Sequence, residues 1–178
     1  MTPTVIPKNG VSLSLRLFNN NDAQIVFDFN SDINNLKYVP RTPYINMVEA
    51  NEHLNRFIQS INQGAAYWWV FVEPKTGKAV GYGGIFDIDH VNHKAEIGYG
   101  LLQSAWGKGY ASMAVDSISN FAFDKLKLHR LYGYVHPENK ASVKVLEKNG
   151  YVFEGELADY FFARGGYMNA CIMARVNK

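Results

Sequence analysis

The stretch Ala95-Glu96-Ile97-Gly98-Tyr99-Gly100-Leu101-Leu102-Gln103-Ser104-Ala105-Trp106-Gly107-Lys108-Gly109-Tyr110-Ala111 combines groups that can hold an anion with one that can take a proton. Its first half reads as a strand, and a glycine-containing turn then opens a helix. Consecutive main-chain N–H groups at such a turn, added to the helix dipole, form a site suited to phosphate. Gly107 and Gly109 carry no side chain, so a ligand can approach the backbone closely. Glu96 sits before an apolar run, where desolvation would raise its pKa toward that of a general base. The competing reading is a strand carboxylate paired with a neighbouring Lys or Arg.

Three ligands compete for the turn, beside the plain alternative of a tight turn that needs glycine. A Walker-type loop requires lysine and Ser/Thr after the second glycine, whereas Lys108 lies between the glycines and Tyr110 follows. A dinucleotide fingerprint requires a third small residue and repeated strand–helix–strand units. The third is a loop for the pyrophosphate of coenzyme A.

The elements that must position these residues follow from hydrophobic periodicity. Val11 to Leu17 alternates as a first strand, and Asp22 can cap a helix carrying Ile25, Val26 and Phe29. After the Pro40–Pro43 break, Leu54, Phe57, Ile58 and Ile61 mark a second amphipathic helix over Val48 to Ile61. Ala66 to Glu73, Ala79 to Ile88 and Lys94 to Leu102 are aromatic and β-branched strands separated by short turns, an antiparallel meander. Gly109 to Leu126 is helical, Arg130 to Val135 a strand, and Asn139 to Asn149 a helix closed by Gly150. Strands Tyr151 to Phe162 and Tyr167 to Val176 flank an Arg164-Gly165-Gly166 turn. The order β-α-α-β-β-β-α-β-α-β-β, with one crossover long enough to be parallel, predicts an α+β chain with a mixed sheet and helices on both faces.

Composition narrows the function classes. The 178 residues are 47% hydrophobic and 19% charged with a net charge of +2, too weak a balance to make nucleic acid or a membrane surface the main partner. No apolar run approaches the ~20 residues of a spanning helix, and Met1 to Gly10 lacks the apolar core of a secretory signal. Cys171, the single cysteine, lies between Ala170 and Ile172 and reads as a buried, inert thiol. The expectation is one cytoplasmic domain over residues 1–178. Asp87, Asp89, His90 and His93 straddle a turn and read as solvated rather than as metal ligands. His129 and His136 read as structural, and Tyr67-Trp68-Trp69 as core packing.

Three blocks in register carry a resemblance: Ala95-Glu96-Ile97-Gly98-Tyr99, then Trp106-Gly107-Lys108-Gly109-Tyr110-Ala111, then Asn139-Lys140-Ala141-Ser142 leading to Leu146-Glu147-Lys148-Asn149-Gly150-Tyr151. Over nearly its whole length the chain resembles the GNAT superfamily of acetyltransferases, in the RimJ/RimL-like branch that acetylates ribosomal-protein N-termini. The resemblance implies a mostly antiparallel seven-stranded sheet and an acetyl-CoA-dependent transfer to a primary amine. The acceptor it implies is a protein or peptide N-terminus, with a polyamine or amino sugar as the alternative; a non-catalytic acyl-CoA-binding module is the third reading. It implies no metal and no nucleic acid, and a homodimer is common in that branch.

Carried over residue by residue, the resemblance assigns cofactor binding to Ile97, Leu101, Leu102, Gln103, Trp106, Gly107, Lys108, Gly109, Tyr110, Ala111, Asn139 and Ser142. An N–H at Leu101 or Leu102 would polarise the thioester carbonyl. Glu96 would be the general base, acting through water, and Ser142 would serve the departing thiolate. The superfamily's Gln or Arg three residues before the first loop glycine is Ser104 here, with Gln103 one position off. The tyrosine that many relatives place seven residues after the asparagine is Leu146, so the acid role falls to Ser142. Asp159, Tyr160 and the Arg164–Gly166 turn, with the first two helices, fall where relatives shape the acceptor cleft.

Overall fold

The computed structural model describes residues 12–178. Met1 to Gly10, and Val11 at the head of the expected first strand, lie outside the described residues. The elements are β1 (Ser14–Leu17), α1 (Ala23–Ser31), α2 (Met47–Asn62), β2 (Tyr67–Glu73), β3 (Lys78–Asp89), β4 (Lys94–Leu101), α3 (Tyr110–Asp124), β5 (Arg130–Val135), α4 (Lys140–Lys148), β6 (Val152–Ala163) and β7 (Gly166–Val176). A 3₁₀ turn at Gln103–Ala105 joins β4 to α3. The seven strands form one sheet in the order β1-β2-β3-β4-β5-β7-β6. Every pairing is antiparallel except β4 with β5, so the expected mixed sheet with a single parallel step is what the chain adopts.

Alternation along the central strands divides the core. Trp69 and Phe71 of β2 pack with Ile85, Ile97 and the apolar stripe of α3 on one face. Val70 and Tyr82 point the other way, into Ile25, Val26 and Phe29 of α1 and Leu54 and Phe57 of α2. Asn46 caps α2, its side chain accepting from the N–H groups of Val48 and Glu49.

The expected cap at Asp22 is not made. Its carboxylate instead takes both prongs of the Arg16 guanidinium, at 2.7 and 2.6 Å, and the N–H of Asn19 at 2.8 Å. A bidentate, charge-assisted pair outcompetes one neutral cap bond, and it ties β1 to the start of α1.

Glycines set how closely the central strands approach. A Cβ at Gly81 would lie 2.2 Å from the Gly100 carbonyl oxygen and 2.9 Å from the Leu101 Cα, both backbone atoms. Overpacking against backbone cannot be relieved by a rotamer change. Gly81→Ala is therefore expected to cost ~3 kcal/mol in urea unfolding, at the upper end for such insertions. Gly155→Ala, with nothing within 4 Å of the added carbon, should stay within ~0.5 kcal/mol.

Candidate active site

The site begins where two strands part. β4 pairs with β5 only through Lys94, Ala95 and Glu96, opposite Arg130, Leu131 and Tyr132. Beyond that point β4 continues beside β3 to Leu101, and β5 continues beside β7 to Val135. A Cβ at Gly133 would lie 2.9 Å from the Ile97 carbonyl oxygen, so glycine permits the last close approach before the gap opens.

Successive main-chain groups of a strand alternate sides. The Leu102 N–H donates to Val80 on the β3 side at 2.9 Å, so those of Ile97, Tyr99 and Leu101 face the gap. This corrects the expectation for Leu102, whose N–H is already committed and cannot polarise a ligand carbonyl; Leu101 is left with that geometry. The Leu101 carbonyl accepts from the Trp106 indole N–H at 2.9 Å, which fixes that half-exposed ring at the mouth of the gap. The Gln103 N–H is likewise taken, by the Asn35 side chain at 3.1 Å.

At the end of β4 the chain turns through Gly107 (φ 75°) and Gly109 (φ 81°), left-handed conformations that glycine adopts without strain. An added Cβ at either glycine meets nothing within 4 Å, so the backbone there is open to a ligand. Among the described residues, the N–H groups of Gly107, Lys108 and Gly109 make no backbone hydrogen bond, and the first N–H groups of α3 lie beside them. This open row of donors at a helix start fits the pyrophosphate of coenzyme A, and the gap beside Ile97, Tyr99 and Leu101 fits an extended amide-bearing arm. Lys108 is exposed over the Tyr110 ring. The Tyr110 side chain is buried and its hydroxyl bonds Glu73, so only its main chain, with that of Ala111, is placed to meet phosphate.

On the other bank of the gap, Asn139 caps α4 by accepting from the Ser142 N–H at 3.1 Å. The Ser142 hydroxyl lies 2.8 Å from the Tyr99 hydroxyl, which comes across from β4. Burial, and then the Ser142 bond acting the other way, leave the Tyr99 phenol at about 12. Leu146, in the place of the usual tyrosine, is 1% exposed and belongs to the core. The sequence reading missed Tyr99. Its position three residues beyond Glu96, on the opposite strand face, was the available signal.

Glu96, Gly98 and Gly100 share the face covered by α1 and α2. Burial, followed by the nearby Asp87 carboxylate, pushes Glu96 up to about 7. The ion pairs among the described residues join Arg16 to Asp22, Lys94 to Asp89 and Arg130 to Glu154, so Glu96 is not the half of a salt bridge. Asp89 bonds the turn N–H groups of Val91 and Asn92. A line of rings runs away from Glu96 along this face. Phe86 stacks on Trp68 at 5.0 Å, Trp68 meets Phe57 at 4.2 Å, and Phe57 meets His53 at 4.2 Å.

The segment between α1 and α2 closes over the same face. Its Tyr38 ring packs on His136 at the end of β5. Arg164, at the β6–β7 turn, donates to the carbonyls of Val39 and Arg41 at 2.9 and 2.6 Å. The Arg164 turn therefore acts as a clamp on that segment, while Tyr160 lies on the gap side against Tyr134, with ring centroids 4.8 Å apart.

The sheet splays after a half-buried carboxyl, a glycine turn opens at a helix start and a serine stands across the gap, an arrangement with room for an acyl-CoA. In agreement, residues 12–152 match the family described as Acetyltransferase (GNAT) domain, and the chain belongs to that family. It is 34% identical over 86% of its length, and 86% of the relative's, to the uncharacterized N-acetyltransferase p20 of Bacillus licheniformis. Spermidine N-acetyltransferase from Vibrio cholerae, solved with CoA and spermine, is similar with a TM-score of 0.82 and 26% identity, over 92% of this chain and 95% of that one. Ribosomal-protein-S5-alanine acetyltransferase from Vibrio fischeri shares the fold, with a TM-score of 0.83 and 22% identity over 98% of this chain and 97% of that one. The protein is an acetyl-CoA-dependent N-acetyltransferase. Among the described residues, no helix is long and apolar enough to cross a membrane.

A carboxylate raised from 4.5 to about 7 is more readily protonated in the folded chain than in the unfolded one. It costs nothing below pH 4.5, costs progressively more as pH rises toward 7, and the cost is constant above. Glu96→Gln should therefore be more stable than the parent at pH 8, by about 1–2 kcal/mol once partial exposure is discounted. The two should converge at pH 4.5, which thermal unfolding at both pH values measures.

Proposed function

We propose that the acceptor is the α-amine of a peptide or protein N-terminus, as in the RimJ/RimL-like branch that the chain resembles. Supporting this reading is the placement of the half-buried Glu96 carboxyl beside Asp87 on the face covered by α1 and α2, where burial pushes it up to about 7. A peptide α-amine has a pKa of about 7.7–8.0, so a base at 7 faces a deficit of about one unit. A lysine-type amine at about 10.4 would leave a deficit of more than three units, about 4–5 kcal/mol.

Bound acetyl-CoA supplies an acetyl group activated as a thioester; the chain's own residues do the rest. Gly107 to Ala111 hold phosphate through their main chain, and Ile97 and Tyr99 pair with the pantetheine amides. The Leu101 N–H faces the thioester carbonyl, and a donor in that role is worth ~3 kcal/mol of barrier. Glu96, through water, takes the proton of the attacking amine. With Tyr99 donating to Ser142 Oγ, the serine proton points into the gap and passes to the departing sulfur; solvent, which receives the amine's proton from Glu96, then reprotonates the serine. Tyr99 is thus a positioning residue. Tyr99→Phe should lower kcat about tenfold with KM for acetyl-CoA unchanged. Adding Tyr99→Phe to Ser142→Ala should cause no further loss, because the tyrosine acts only through the serine.

A small-amine acceptor is the second reading, supported by the likeness to the Vibrio cholerae enzyme solved with spermine. Thiol release from acetyl-CoA, with product masses, separates the two. The expected result is turnover with free-α-amine peptides and none with α-blocked peptides. Turnover confined to spermidine or an amino sugar would overturn the N-terminal reading and keep the transferase.

A further inference from the structure

The segment between α1 and α2 sets a guanidinium, on the Glu96 face of the sheet, that no acid among the described residues neutralises. Arg41 Nη1 donates to the Tyr44 hydroxyl at 2.6 Å and lies 2.9 Å from His53 Nδ1. His53 is buried, and that burial, followed by the charges of Arg41 and Arg56, lowers its pKa to about 3, so it stands as a neutral acceptor. Arg41 enters none of the ion pairs found among the described residues. The neighbouring Arg164 spends its donors on carbonyls. A half-buried guanidinium whose partners are all neutral retains its full charge and three or more uncommitted donors.

Its place relative to the reacting end can be traced. The Tyr44 N–H donates to the Asn30 carbonyl, and the Asn30 amide donates to the Tyr82 hydroxyl at 2.7 Å. Tyr82 pairs with Gly100 across β3 and β4, so the polar knot stands one tyrosine length above the gap strand. Glu96 lies four residues back on the same face, about 13 Å away at ~3.3 Å per residue. Glu96 and Asp87 make that end negative, whereas Arg41 makes the other positive. A glutamate and an arginine side chain can each span part of that distance, which leaves room for one or two extended residues.

We propose that Arg41 recognises an anionic group carried by the acceptor, a carboxylate set one or two residues from the reacting amine. Under the α-amine reading above, on which this rests, the preferred substrate is an N-terminus with Asp or Glu among its next residues. The same charge opposes a polyamine, whose second ammonium would face the guanidinium.

The test uses three peptides that share a first residue and differ at the second and third, with Glu, Ala or Lys there, together with spermidine and a free amino acid. The full-length protein and Arg41→Gln are compared. The expected result is a kcat/KM about tenfold higher for the Glu peptide than for the Ala peptide, the size of one charge-assisted pair, and a preference that shrinks with added salt. In Arg41→Gln that ratio should fall to about one, and Arg41→Lys should recover part of it. Acetyl-CoA affinity measured without acceptor, together with the melting temperature, shows whether Arg41→Gln is folded; if it is not, the Arg41→Lys ratio and the salt dependence decide. Peptide turnover without charge preference would overturn the anion subsite and leave the N-terminal reading standing. Inert peptides with Arg41-dependent turnover of the amino acid would do the reverse. Preference for spermidine or the Lys peptide would overturn the subsite outright.

Discussion

The site depends on β4 and β5 parting after three paired residues. A sheet normally satisfies every backbone donor with its neighbour, and an edge left open within a sheet costs free energy unless something else pairs with it. Here the main chain from Ile97 to Leu101 is backed by β3 on one side and open on the other. That opening offers an extended ligand a partner already straight and already rigid. The parallel step produces it. β5 reaches β4 through α3 and pairs along three residues before β7 draws it away on the other side. Gly133 lets the backbones touch at the last point of contact.

The opening also joins two faces that the rest of the sheet keeps apart. Because side chains alternate, Glu96 and Tyr99 leave the same strand in opposite directions, one toward α1 and α2, the other toward α4. The odd spacing of three residues thus puts the Glu96 carboxyl and the Tyr99–Ser142 hydroxyl pair on opposite faces of the split sheet. The pKa values fit this division. Burial beside Asp87 lifts the carboxyl to where it can accept a proton near neutrality, and Tyr99, at about 12, stays a neutral phenol bonded to its serine.

Much of this was legible in the sequence, for identifiable reasons. The two periodicities of 2 and 3.6 placed all the strands and helices within a few residues, because the core stripes of β2, α2 and α3 are strongly apolar. Gly107 and Gly109 announced a turn at the start of α3, and both adopt the left-handed conformation that glycine allows. Asn139 announced its cap by type and place. What was not legible depends on pairings across the sheet. The Leu102 N–H is lost to Val80 and that of Leu101 is not, a matter of strand register that composition does not encode. Asp22 looked like a cap and became an ion-pair partner because Arg16, six residues earlier on β1, returns alongside it. Tyr99 and Arg41 are ordinary residues until their neighbours, Ser142 and His53, arrive from 43 and 12 positions away.

Those two late arrivals share a physical logic. Tyr99 is held by Ser142 and Arg41 by Tyr44 and His53, all neutral partners, and Glu96 enters no ion pair among the described residues. Opposite charges would be satisfied by each other and closed to a ligand, and the desolvation they suffer would serve stability alone. Of the three ion pairs among the described residues, two lie at the β1–α1 junction and on the β5–β6 side of the sheet, and Lys94–Asp89 ties β4 to the end of β3. These pairs fasten strand to helix and strand to strand, while Glu96 and Arg41 enter none of them.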